Sequence, residues 1–299
     1  MALPKQKIVV RPESEPRLSE FAQKLLRRAD ATGVLPTPLD RLFEIAKVTN
    51  IAELPDESFL RTLSDKAKGI FKSAKQKLRG IADLRQRATY IPRDSNPARE
   101  RFVRAHELGH QVIPWHDIDP TYLDNSESLS PDAKATFEQE ANFFGAEIIF
   151  QGPGFRTLAR DYQPSFDAVF VLSDQHAASK QSTAWRFVEE QDEAVALMQY
   201  YPGNAIDENG NYVLNLWRAV GSPTFTQRYA GIDIPRTLRT GDAWVAARDI
   251  ERTCDGTDKL FVDGREVTFK WYTWWNGYTL LVLLRHKPRL SVVGEILRS

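Results

Sequence analysis

The 299-residue sequence predicts an α+β protein: a mainly helical N-terminal region with a short β-sheet, a helical connecting segment and a mostly β C-terminal region. Three observations carry this expectation. Apolar residues recur at helical spacing from Leu18 onward. Cap signals led by proline open helices near residues 37–40, 96–97 and 130–131. After residue 193 the texture changes to short apolar or alternating runs between Gly, Pro, Asn and Asp. Boundaries are therefore expected at 1–155, 156–192 and 193–299.

The elements follow in order. Residues 1–16 read as an extended, charged lead-in. Leu18, Phe21, Ala22, Leu25, Leu26 and Ala29 then share one helical face, and Gly33 ends the pattern. Thr37-Pro38-Leu39-Asp40 places a Thr cap before Pro at the first helical position, opening a helix that carries Leu42, Ile45, Ala46 and Val48. A third helix is expected from about residue 55 to 79, with Gly80 as its stop. Residues 80–84 and 88–91 read as two short strands joined by a charged turn. Asn96-Pro97 opens a helix that stops by Pro114, and Ser130-Pro131-Asp132 opens another that ends at Gly152-Pro153. Residues 164–192 read as helical, and strands are expected at 195–200, 212–217, 243–247, 260–262, 268–274 and 279–284. Trp271, Trp274 and Trp275 fall in one of these strands, where burial in the β core is the expected fate.

Composition excludes several function classes. Lys and Arg total 40 against 40 Asp and Glu, so no global field favours nucleic acid. One local basic run exists: Lys66, Lys68, Lys72, Lys75, Lys77, Arg79, Arg85 and Arg87. It lacks the interleaved aromatics of single-strand binders and reads first as a solvated helix face, with a phosphate or acidic-partner surface as the alternative. A single cysteine, Cys254, excludes an internal disulfide framework and thiolate zinc fingers. Any metal would have to rest mainly on His, Asp and Glu. The longest apolar run, 280–284, is far short of the ~20 residues of a membrane helix. With no leader pattern at the start, the expected location is the cytoplasm, without a membrane partner.

The sharpest signal is His106-Glu107-Leu108-Gly109-His110. Residues four apart share a helical face, so the two imidazoles can point at one ion, and imidazole suits zinc. Glu107, one position on, stands where a general base can reach a water beside the metal. Only five histidines occur in the chain, and three of them lie within residues 106–116.

A catalytic zinc takes a third protein ligand. His116 follows His110 by six residues, but Ile113 stands where that spacing needs Gly to let the chain turn. The alternative is Glu138 on the next helix, with Asn142 on the same face placed to orient a ligating His. Glu140 falls about 200° around that helix from Glu138, so the two are not expected on one ion.

Arg101-Phe102 followed by Ala105-His106-Glu107-Leu108-Gly109-His110, together with Glu138-Gln139-Glu140-Ala141-Asn142-Phe143-Phe144-Gly145, resembles the signatures of the ImmA/IrrE metallopeptidases. The resemblance covers roughly residues 18–150. It implies a zincin-like domain of the gluzincin type binding one zinc ion per chain, with His106, His110 and Glu138 as ligands and Glu107 as catalytic base. It weighs the third ligand toward Glu138 over His116. It also implies a regulatory protease acting on a protein such as a helix-turn-helix repressor or an antitoxin-like regulator. The chain departs from the family at 148–153, where Ile-Ile-Phe-Gln-Gly-Pro replaces a Leu-Leu-Met-Pro ending, and the last hundred residues are not explained by it.

Tyr90, Arg104, His116, Tyr122 and His176 are the candidate donors to a tetrahedral oxyanion. Two rival readings come from other classes: a non-catalytic zinc protein that sequesters a repressor or antitoxin, and a nucleic-acid-associated regulator using residues 66–87. Direct nucleic-acid binding is not expected on the charge balance.

Overall fold

A computed structural model describes residues 12–51, 81–83, 87–91, 96–116, 131–206, 211–249 and 253–286. The expected helix at 55–79 and nearly all of the basic run lie outside the described residues. Arg87 is the member inside them, and its guanidinium donates to the Ala46 and Lys47 carbonyls. The described residues divide into two compact units: one within 12–157 and 173–179, the other within 158–172 and 180–286.

The first unit is mainly helical. Helix α1 (Glu15–Arg28) buries Leu18, Ala22 and Leu26 on one face, as their spacing requires. Helix α2 (Leu39–Ala46) follows and buries Leu39, Leu42 and Phe43. Its start differs from expectation: Pro38 is the cap residue and Thr37 does not cap. The fully buried Thr37 hydroxyl instead donates to the Ile148 carbonyl at 2.9 Å. A carbonyl near a helix C-terminus lacks an intrahelical partner, and that need outweighs a cap bond here.

Three short strands come next: β1 (Thr49–Ile51), β2 (Ile81–Asp83) and β3 (Ala88–Tyr90). β3 is central, antiparallel to β2 and parallel to β1. The β2–β3 pair was expected. β1 was not, because three residues show no periodicity and its partner lies far along the chain.

Helix α3 (Pro97–Val112) has its predicted cap, with Asn96 accepting from the Arg99 amide. A 3-10 turn (Pro114–His116) follows. Helix α4 (Pro131–Phe150) packs against α3. Two glycines allow the close approach: a Cβ on Gly145 would lie 3.1 Å from the His106 amide nitrogen, and one on Gly109 would lie 3.1 Å from the Phe144 ring. Gln151, just past α4, ties the helix end to the α1–α2 loop. Its amide donates to the Ala31 and Val34 carbonyls and accepts from the Gly33 N–H. The polar residue at the departure from the family ending thus fills a structural role.

Pro153 does not only end α4. It opens α5 (Pro153–Asp161), a helix absent from the sequence expectation. Helices α6 (Phe166–His176) and α7 (Lys180–Glu189) fill the predicted 164–192 stretch.

The second unit is built on an antiparallel six-stranded sheet. Its strands are β4 (Val195–Ile206), β5 (Tyr212–Gly221), β6 (Thr237–Arg239), β7 (Thr253–Val262), β8 (Arg265–Trp275) and β9 (Leu280–His286). Their order across the sheet is β6-β5-β4-β9-β8-β7. One short helix, α8 (Pro223–Arg228), is capped by the Ser222 hydroxyl. The strand expected at 243–247 is a correction: Ala243–Val245 forms a 3-10 turn and Ala246–Asp249 a short helix, α9. A five-residue apolar run has too few positions to separate strand from helix, and it buries Trp244, Val245 and Ala247 either way. Trp271 lies in the core beside Phe269, while Trp274 packs on Phe166 and Phe170. No helix among the described residues is long and apolar enough to cross a membrane.

Candidate metal centre

α3 presents His106 and His110 on one face, one turn apart, and α4 brings Glu138 to the same place. The Nε2 atoms of the two histidines lie 3.2 Å apart. Glu138 Oε2 lies 3.5 Å from His106 Nε2, and Oε1 lies 3.8 Å from His110 Nε2. These three residues offer ligand atoms all within 4.8 Å of one another, and among the described residues no other such group occurs.

The donor set suits zinc. Two nitrogens each ~2.05 Å from a tetrahedral ion stand about 3.3 Å apart, close to the separation found here. Asn142 Oδ1 lies 3.0 Å from His106 Nδ1, where an acceptor keeps the proton on Nδ1 and leaves a lone pair on Nε2. Glu138 is half exposed, so the centre has one face toward solvent.

The surroundings are drier on the α3 side. Glu107 is buried, and burial, with the Glu138 charge beside it, pushes its carboxyl up to about 8. Burial holds the His110 imidazole well below its ordinary value, with His106 and His116 adding to the effect.

His116 occupies a different position from the three convergent residues. Its Nδ1 lies 3.1 Å from His110 Nδ1, on the far side of the His110 ring from Nε2, and its Nε2 lies 2.9 Å from Glu140 Oε2. Its ring stacks on Phe137 at 4.5 Å. Glu140, set aside from the sequence as facing away from Glu138, accepts hydrogen bonds from His116, Trp115 and Ser14. Burial alone would raise its carboxyl, but those three donors outweigh burial and hold it below its usual range. Sequence reasoning missed Ser14, Trp115 and Glu140 as neighbours of the centre. Ser14 is 126 residues from Glu140, and no local spacing signals such a contact.

The candidate oxyanion donors are placed as follows. Arg104 pairs with Asp40 and lies over the Phe43 ring. His176 packs against Phe150 and Phe155. His116 is engaged with His110 and Glu140, Tyr90 ends β3, and Tyr122 lies outside the described residues. Arg101, from the family signature, donates to the Thr37 carbonyl and so braces the start of α2.

The overall fold is similar to that of a transcriptional regulator of Mycobacterium tuberculosis, with a TM-score of 0.52 at 12% identity, covering 91% of this chain and 76% of that one. No curated protein sequence matches the chain. A family model, that of the IrrE N-terminal-like domain of the M78 peptidases, matches residues 70–187. That span holds His106, Glu107, His110 and Glu138. The ImmA/IrrE resemblance read in the sequence is thereby borne out, and over residues 70–187 the chain is similar to the IrrE N-terminal-like domain of the M78 peptidases.

Proposed function

We propose that the protein is a zinc-dependent regulatory endopeptidase with a zincin-like helical domain. The observation that carries this reading is the convergence of His106, His110 and Glu138 within 4.8 Å, with Glu107 next to His106 on the same helix. The match to a peptidase family over the same residues supports it.

In this reading His106 Nε2, His110 Nε2 and the Glu138 carboxylate hold the ion, and Asn142 orients His106. Zinc, when bound, supplies a Lewis acid that polarises the scissile carbonyl and brings the pKa of the attacking water toward 7. With the positive charge of an ion beside it offsetting the burial that raises its carboxyl, Glu107 would accept a proton from water and pass it to the departing amine. Its burial keeps competing solvent from the carboxylate. In this reading a peptide would approach from the side on which Glu138 is half exposed.

The substrate in this reading is a specific protein regulator, of the helix-turn-helix repressor or antitoxin type, and the domain boundaries at 1–155, 156–192 and 193–299 separate the protease from a C-terminal β region. That the structural neighbour carries the name of a transcriptional regulator agrees with a regulatory role. The test compares cells producing the unaltered protein with cells producing Glu107→Gln, by sequencing newly formed protein N-termini. New termini are expected with the unaltered protein only, while both proteins purify with zinc. The same termini from Glu107→Gln would exclude its role as base. Full biological effect without cleavage would favour sequestration of a partner.

A further inference from the structure

Four side chains behind His110 form a hydrogen-bonded chain whose direction can be deduced. Trp115 Nε1 lies 2.7 Å and His116 Nε2 2.9 Å from Glu140 Oε2, and Ser14 Oγ lies 2.5 Å from Oε1. An indole nitrogen can only donate, so Oε2 is an acceptor; an ionised carboxylate accepts on both oxygens. His116 Nε2 must then carry the proton it shares with Oε2. A neutral imidazole has one N–H, so His116 Nδ1 is an acceptor, and it faces His110 Nδ1 at 3.1 Å. His110 Nδ1 therefore donates. That leaves the lone pair on His110 Nε2, the atom directed at His106 Nε2 and Glu138.

We propose that Glu140 and His116 are positioning residues that fix His110 in its Nδ1–H tautomer and hold its Nε2 toward His106 and Glu138. A free imidazole can carry its proton on either nitrogen, and only one of the two forms leaves Nε2 able to bind a metal. Asn142 does the same for His106 through a single amide. His110 receives a longer, buried chain that begins at the residue before α1 and at the 3-10 turn, so distant parts of the helical unit set the direction of one ligand. The tautomer claim stands on hydrogen bonding alone; its consequence for metal affinity rests on the zinc reading above.

Two measurements test it. Long-range proton–nitrogen NMR spectra of the metal-free protein should show His110 protonated on Nδ1 and His116 on Nε2. Any other tautomer of either ring, or a doubly protonated His116, overturns the proposal. Zinc affinity is then measured by competition with a chromophoric chelator for His116→Phe and His116→Asn, with thermal unfolding of each metal-free protein confirming that it folds. Phe keeps the stacking on Phe137 but has no acceptor, and should bind zinc about 10–100-fold more weakly. Asn offers Oδ1 near the position of Nδ1 and should recover most of the loss. Affinity unchanged in His116→Phe, or no recovery in His116→Asn, contradicts the proposal. An unaltered protein that binds no zinc yet shows the stated tautomers refutes the metal reading and leaves the chain standing.

Discussion

The two units bury charge in different ways. In the β unit the buried charged residues Arg186 and Glu190 form an ion pair one helical turn apart, and the other buried residues are apolar, led by Tyr200, Phe225, Phe269 and Trp271, or uncharged polar, such as Gln199 and Thr273. In the helical unit Glu107, His110, His116, Glu140 and Glu147 are all buried. Among the described residues no Lys or Arg forms an ion pair with Glu107, Glu138 or Glu140. Burying charge without an opposite partner is costly. One unit therefore closes its electrostatics internally, whereas the other gathers carboxylates and neutral imidazoles around a place suited to a cation. Chemistry is expected where that imbalance lies.

The sharpest way to break this contrast is to remove a ligand. Glu138→Ala should weaken zinc binding by more than about 100-fold, beyond the usual cost of changing an outer-shell partner, as read by chelator competition. Unchanged affinity would remove Glu138 from the site. In the β unit, Phe269→Ala should cost about 3–5 kcal/mol in denaturant unfolding, because Phe269 is fully buried in the core cluster. Zinc affinity should not change; a parallel loss would mean that the chemistry is not confined to the helical unit.

A smaller change probes how the helices meet. Gly145→Val adds side-chain atoms against the His106 backbone, and overpacking of this kind costs about 1–3 kcal/mol. Because α4 carries Glu138, zinc affinity should fall as well, which distinguishes this position from Phe269. The smallest effect is expected at Asn96→Ala. Loss of its cap bond to Arg99 should cost about 1 kcal/mol of stability and leave zinc affinity near that of the unaltered protein.

The parts of the molecule that were legible in the sequence are those whose signal is local. The His106–His110 spacing, the Asn96-Pro97 cap and the amphipathic face of α1 are each read within one or two helical turns, and each is present. The switch to strands after residue 193 was also readable, though β6 and the helix at 246–249 were not. What escaped depends on contacts between distant segments. Thr37 looks like a cap until Ile148 is placed beside it, and β1 is a strand because β3 lies next to it. Glu140 reads only as an acid on a different face from Glu138 until Ser14, Trp115 and His116 surround it. In the candidate site the convergent residues could be named from spacing and family resemblance, but the chain behind His110 could not, since its members come from three separate places in the sequence.

The central claim is that His106, His110 and Glu138 share one ion. Crystals soaked in zinc and measured at the zinc absorption edge test it most directly. The account predicts one strong anomalous peak per chain, about 2.0–2.2 Å from both Nε2 atoms and from a Glu138 oxygen, with His116 outside the coordination shell. A peak bound to His116 in place of Glu138, or no peak between α3 and α4, would contradict it.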